Sequence, residues 1–424
     1  MKRRNASKLQ KLNLDSSKNI SNRSAALLSK NAIQLLVCLV PVIYTVFFIL
    51  RIAVHPAWTL WDFESNYYHT KAFLHGLNPY DFDFKTFPHT QPLYQFVYTP
   101  LSLIFFAPFT LLDYADARIA ALIFYVIVLF TTFIAFSRRL ITKNCFGAFF
   151  CLFAILAFNG AICKSIQSGN VASLETALIF LSFICWLRGH HVWFLCFIFA
   201  ASIFKLTPLF FLVLIFFDKT PQWKSTFIAM VVFLIALAIS ILAMPYEVIP
   251  YASSNISWCM PIVRGFQNPS MFCLLTTVIE QCHFPAVKPL INAVFIIWVA
   301  AILFFTVRSG LFLAREGRDT ARVDAVVLAL LCYALVVPRF QDYAWVIMIP
   351  AVFRVLMDRE YAKTIGPLMV LCLLPNREDN LLPGLTEVFR IAKVYSPIIV
   401  AFGAWLLLVL GIAKRPASKL PTGC

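Results

Sequence analysis

Two carboxylates, Asp62 and Glu64, stand in the segment Trp61-Asp62-Phe63-Glu64, a few residues after the first long apolar stretch. Only 13% of the chain is charged and 61% is hydrophobic, so paired acids at one place call for a reason. A carboxylate with a reference pKa of about 3.9 is already a base at neutral pH, and one held at a membrane surface can take the proton of a hydroxyl. Asp62 is the candidate for that work. Glu64 reads equally as a marker of the water interface. The same stretch continues through Tyr67-Tyr68, Gly76, Asn78-Pro79-Tyr80 and Phe96-Val97-Tyr98-Thr99-Pro100. Its tyrosines have a plain reading as an aromatic belt at a membrane interface.

Two cations complement the acids. Lys205 is flanked by Ile203-Phe204 and Leu206. A lysine at the bilayer centre costs roughly 2.5–3.5 kcal/mol on insertion scales, so it either snorkels to the surface or serves a site. Arg339 follows Pro338 at an expected helix end. An acid that deprotonates a hydroxyl and cations that hold an anionic leaving group make a workable pair of functions. His55, His69, His75, His89 and His283 lack ligand spacing and read as surface histidines. The twelve cysteines contain no CxxC and no Cys/His cluster. Most behave as small hydrophobes in apolar stretches, and no metal or other cofactor is expected to be required.

The elements that must position these groups are membrane helices. The 424 residues include 43 Phe and have a mean hydropathy of +0.80, more apolar surface than a soluble core of this size can hide. The net charge of +16 is uneven. Lys2, Arg3, Arg4, Lys8, Lys11, Lys18, Arg23 and Lys30 precede the first span, against Asp15 alone. Beside a membrane span such a tail is a positive-inside signal that also attracts anionic lipid; a nucleic-acid partner is not expected. Further basic breaks fall at Arg138-Arg139-Lys143, Arg188 to His191, Lys219 to Lys224, Arg308 to Arg322, Arg354 to Lys363 and Lys414 to Lys419. Placing all of them in the cytoplasm makes 97–112 an interfacial helix rather than a span. It also breaks 192–217 into two short helices at Lys205-Leu206-Thr207-Pro208.

The expected spans are 31–53, 116–136, 145–162, 171–187, 192–204, 206–217, 225–244, 286–307, 324–337, 343–357, 364–375 and 396–413. The fold class is therefore an all-α polytopic membrane protein of about 12 transmembrane helices, in the inner or plasma membrane, with both termini cytoplasmic. Residues 1–30 form a basic disordered tail, 31–413 the single membrane domain, and 414–424 a second tail. The segments 54–115, 164–170, 245–285, 337–343 and 376–395 gather on the extracytoplasmic face.

Asp62-Phe63, Tyr67-Tyr68, Gly76, Asn78-Pro79-Tyr80 and Phe96 to Leu101, followed by Pro108, resemble the first-loop signature of glycosyltransferase family 87. These are membrane glycosyltransferases of the GT-C fold. Gly169-Asn170, Lys205 to Pro208, Gln267-Asn268-Pro269-Ser270, Pro338-Arg339 and Asp342-Tyr343 extend the resemblance in order over about residues 35–360. Thr99 stands where the family often has a second proline. Residues 337–343 replace a Ser-Pro…His-His run common in the family, so no role of those histidines carries over.

The resemblance implies a GT-C-type helical bundle with interfacial helices in the first extracytoplasmic loop. It implies a polyprenyl-phosphate sugar donor, mannose or a related sugar, and transfer to a glycan or glycolipid acceptor outside the cytoplasm. Inversion at the anomeric carbon would accompany transfer, with Asp62 as general base. On that reading Lys205 and Arg339 bind the donor phosphate. Glu64, Tyr67, Tyr80, Tyr98, Gln167, Asn170, Gln267 and Asn268 become candidates for sugar or acceptor contacts. The rival reading is a flippase or transporter of a lipid-linked sugar, which would more often carry charges near the midplane of several helices.

Overall fold

The structure, a computed structural model, describes residues 39–54, 59–80, 96–141, 147–218, 221–242, 265–281, 288–316, 319–357, 362–373 and 387–415. Both expected tails, apart from residues 414 and 415, and all of 245–264 fall outside these residues, as do 55–58 and 81–95 of the first loop.

All regular structure among the described residues is helical. In chain order, α1 is Leu39–Val54, α2 Trp61–Leu74, and α3 Leu101–Phe106, which tightens into a 3₁₀ turn at Ala107–Leu111. Next come α4 (Tyr114–Leu140), α5 (Ala148–Ser168), α6 (Ala172–Leu187) and α7 (His191–Ser202). A long 3₁₀ helix, Thr207–Phe217, precedes α8 (Trp223–Leu242). A single 3₁₀ turn at Gly265–Gln267 leads to α9 (Met271–Gln281), α10 (Lys288–Glu316) and α11 (Asp319–Val336). The 3₁₀ segment Asp342–Met348 runs into α12 (Ile349–Leu356), followed by α13 (Ala362–Leu373), α14 (Glu387–Val394) and α15 (Ser396–Ala413).

Among the described residues, α4, α5, α8, α10 and α15 are long and apolar enough to cross a membrane. In α8 the sole buried residue is Phe233, while Phe227, Ile228, Val232 and Ile239 are exposed. A helix apolar all round and barely covered by protein needs lipid as its solvent. The core is aromatic: Phe136 stacks on Phe180 at 4.6 Å, and Phe150 and Phe153 meet Phe353 at 4.9 and 5.1 Å. With Phe133 on Phe150 at 5.8 Å, these contacts lock α4, α5, α6 and α12 together.

The described parts of the twelve expected spans are largely helical, five of those helices being long and apolar enough to cross a membrane, and the break at Lys205 is present: α7 ends at Ser202 and the 3₁₀ helix begins at Thr207. Two expectations need correction. The helix expected over 145–162 runs on to Ser168, where its polar side chains find protein partners. Ser165 Oγ and Ser173 Oγ lie 2.7 Å apart, and Lys164 Nζ reaches Asp342 Oδ2 at 2.7 Å. The same helix is broken earlier, where Phe158, Asn159 and Gly160 all adopt positive φ. His69 is 1% exposed and lies 5.5 Å from the Phe96 ring, so it is a core histidine rather than a surface one.

Candidate active site

The start of α2 is held against the α5–α6 turn. Leu60, in the left-handed region at φ 56°, donates its backbone N–H to Gln167 O at 2.6 Å. Gly169 closes α5 at φ +62°. A Cβ there would stand 2.8 Å from Leu60 Cδ2 and 3.0 Å from Phe63 Cβ, so only glycine lets the two segments approach this closely. Behind α2, Arg118 of α4 donates to Thr59 Oγ1 at 2.8 Å and to the Ile52 and Ala53 carbonyls, capping the end of α1.

This docking brings Asp62 to Asn170. The Asn170 carbonyl accepts the Ala172 backbone N–H at 2.8 Å, which turns the other side of the amide toward the acid. Asn170 Nδ2 then donates to Asp62 Oδ2 at 2.8 Å, with the Tyr343 and Tyr98 hydroxyls also within reach at 3.1 and 3.4 Å. Tyr343 donates its own hydroxyl hydrogen bond to Gln341 Oε1.

Asp62 is partly buried, and that burial raises its pKa from 3.8 to about 6. The Asn170 hydrogen bond and the charges of Lys205 and Arg339 oppose the rise, while Asp342 adds to it. The result is a carboxylate still mostly ionised at neutral pH and a stronger base than an exposed aspartate. Burial, and then the Asp62 charge, push the Tyr98 phenol well above 10, so Tyr98 stays neutral beside the acid.

The cations stand near Asp62 without sealing it. Lys205 Nζ lies 3.6 Å from Glu175 Oε2 and 5.9 Å from the centre of the Tyr343 ring. Glu175 Oε1 accepts the Thr207 hydroxyl at 3.4 Å, and Tyr333 donates to Thr207 Oγ1 at 2.9 Å. Arg339 is half-buried and acts on Asp62 electrostatically. Among the described residues, no three His, Cys, Asp or Glu side chains gather in a way that could hold a metal ion.

Residues 96–338, more than half of the chain, match the model of Glycosyltransferase family 87. The chain belongs to glycosyltransferase family 87. Among curated proteins, none matches it. The matched interval includes Tyr98, Asn170, Glu175 and Lys205; Asp62 precedes it and Arg339 follows it by one residue.

Within this family 87 glycosyltransferase, the residues expected at the site separate into groups. Asp62, Tyr98, Asn170, Lys205 and Arg339 converge. Asn170 spends its amide on Asp62 and on its own turn, so its geometry is that of a positioning group rather than of the expected sugar contact. Glu64 is fully buried, takes a hydrogen bond from Tyr114 and lies near Arg118, on the α4 side of α2. Tyr67 lies on that side too, with its hydroxyl on Leu112 O at 2.8 Å and its ring 5.4 Å from Tyr114. Both thus lie away from the Asp62 face of α2, about 200° round the helix for Glu64 and about 140° for Tyr67. Tyr80 braces the strap that carries Tyr98, donating to Tyr98 O at 2.9 Å. The Gln167 backbone, not its amide, has the decisive contact with Leu60. Gln267 is exposed. Asn268 is 2% exposed and accepts the Phe340 N–H at 2.9 Å, which ties it to the 338–340 segment.

Sequence reasoning gave no site role to Glu175, Gln341, Tyr343 or the Lys164–Asp342 pair, although Asp342-Tyr343 entered the family resemblance. Glu175 had a usable signal. It is the lone acid of Val171–Leu187, and the cost argument applied to Lys205 applies equally to it.

Proposed function

We propose that this glycosyltransferase moves a sugar, mannose or a related one, from a polyprenyl-phosphate donor to the hydroxyl of a glycan or glycolipid acceptor on the extracytoplasmic face. One observation carries the reading: a partly buried carboxylate, Asp62, oriented by Asn170 and flanked by Lys205 and Arg339 that do not sit on it. Asp62 takes the acceptor O–H proton as that oxygen attacks the anomeric carbon. The new C–O bond forms opposite the departing one, which inverts the anomeric centre. The bond from the anomeric carbon to the phosphate oxygen breaks, and polyprenyl phosphate leaves with its electron pair. Lys205 meets the phosphate as a point charge and Arg339 as a planar fork. The expected partners are the bilayer, the lipid donor and the glycan acceptor.

Purified protein in detergent, given candidate polyprenyl-phosphate sugars and acceptors, should form a glycosylated product seen by mass spectrometry. Asp62→Asn should form none while still binding donor. Full transfer by Asp62→Asn would remove Asp62 from the chemistry, and lipid-sugar translocation without any product would favour the flippase reading.

A further inference from the structure

Glu175 is a carboxylate 6% exposed, in the first turn of a helix with no other charged residue, and the transfer chemistry above does not use it. Its surroundings are specific. One oxygen takes the Thr207 hydroxyl, which Tyr333 in turn orients, so Thr207 and Tyr333 hold the carboxylate in one rotamer. The other oxygen faces Lys205 at 3.6 Å, a loose contact that leaves the ammonium free to donate elsewhere. Lys205 rises from the tip of the α7–3₁₀ hairpin, is about a third exposed, and lies over the Tyr343 ring. The hydroxyl of that ring shares the Asn170 amide with Asp62. Lys205 thus stands between two carboxylates and is bonded to the one that does not react.

A lysine has four rotatable carbons, and an ionised aspartate in a low-dielectric pocket is its strongest available partner. Without Glu175, the ammonium would move onto Asp62. That contact would disable both, because the base would be capped by a cation and the phosphate site emptied of one. We propose that Glu175 is a positioning residue: it holds Lys205 on the leaving-group side of the pocket and off Asp62. The proposal rests on the assignment of Asp62 as the base.

The charged and titratable groups that act on Asp62 are Lys205 from the hairpin tip, Arg339 and Asp342 from the segment before α12, and the phenols of Tyr98, Tyr125 and Tyr343. Asp342 is itself paired with Lys164. Lys205 alone among these charges is bonded to Glu175.

The test is a pH–rate profile with donor titrations for wild type, Glu175→Gln, Glu175→Asp, Lys205→Met and the Glu175→Gln/Lys205→Met double variant. Glu175→Gln should lower the acid limb by about one pH unit, since a carboxylate beside a cation drops by that order. It should also lower kcat about tenfold and raise the donor KM. Glu175→Asp should move the same way by less, and it decides the matter if Glu175→Gln does not fold. In the Lys205→Met background, Glu175→Gln should leave the acid limb where it was.

Simple loss of a negative charge predicts the opposite for the donor, a lower KM, and a limb that still moves without Lys205; either result overturns the proposal. An unchanged limb in both Glu175 variants overturns it too. A wild-type profile with no acid limb, together with an active Asp62→Asn, would instead overturn the assignment of the base.

Discussion

Asp324 and Asp62 are both carboxylates of low exposure near opposite ends of the helix bundle, and their partners differ in kind. Asp324 is bonded to two arginines, Arg354 at 2.8 Å and Arg415 at 2.6 Å; Arg415 also takes Glu316 at 2.9 Å, and Arg354 donates to Leu140 O. These bonds tie α4, α10, α11, α12 and the end of α15 into one clasp of paired charges. Asp62 is bonded to an amide, and the nearest cations are kept at electrostatic range. The difference separates a charge neutralised by ion pairs from one left partly uncompensated, as the proposed base requires.

The comparison breaks most sharply at Asp62 itself. Asp62→Asn is expected to cut transfer by about a thousandfold, the scale of a lost general base. The same change should stabilise the protein at pH 7. Folded Asp62 holds its proton more tightly than the unfolded chain does, so its charge opposes folding at neutral pH, and that penalty fades as pH falls from about 6 toward 4. A rise of a few degrees in melting temperature at pH 7, absent at pH 4, would confirm the sign.

Asp324→Asn should do the reverse. It strands two arginines and is expected to cost about 2 kcal/mol of stability, with kcat of the folded fraction unchanged, as thermal melts and active-site-normalised rates would show. If Asp324→Asn abolished turnover without loss of stability, the division between the two ends would fail.

Asn170→Asp sharpens the contrast from the other direction by giving Asp62 an anion in place of an amide. The acid limb of the rate profile, expected near pH 6 in the wild type, should rise by about one unit or more. The smallest expected effect belongs to Gly169→Ala. A positive φ for alanine and the contact with Leu60 should together cost on the order of 1–2 kcal/mol. Displacing α2 should also lower kcat about tenfold with little change in donor KM.

Much of this arrangement was legible in the residues. Apolar length and basic breaks placed the helices, and the proline after Lys205 located the hairpin tip. Asp62, Lys205 and Arg339 stood out because ionised groups are rare in such a chain. What stayed hidden was direction. Spacing alone does not say which side of α2 faces the pocket, so Glu64 and Tyr67 looked as available as Asp62. The left-handed Leu60 and the close approach at Gly169 set that angle, and both are tertiary facts. Asn170 illustrates a second limit. An asparagine near an acid suggests ligand contact, whereas its carbonyl is used by the Ala172 N–H and its amide by Asp62. Tyr343 and Gln341 come close only because a distant segment folds over the turn.

The hairpin that carries Lys205 has a mechanical consequence. Its arms are α7, 12 residues or about 18 Å, and the 11-residue 3₁₀ helix, which at a rise of about 2.0 Å per residue extends about 22 Å. Their far ends are tied together by His191 and Asp218 at 3.3 Å. A hydrocarbon core is about 30 Å thick, so with its His191–Asp218 end at one surface, as proposed, a hairpin of this length would stop short of the other and hold its lysine below the headgroup plane. Lipid around it would then thin, or the headgroup of a bound lipid sink to meet the charge. The proposed donor site would in this way be coupled to bilayer thickness, and lengthening the acyl chains of the surrounding membrane is expected to lower transfer.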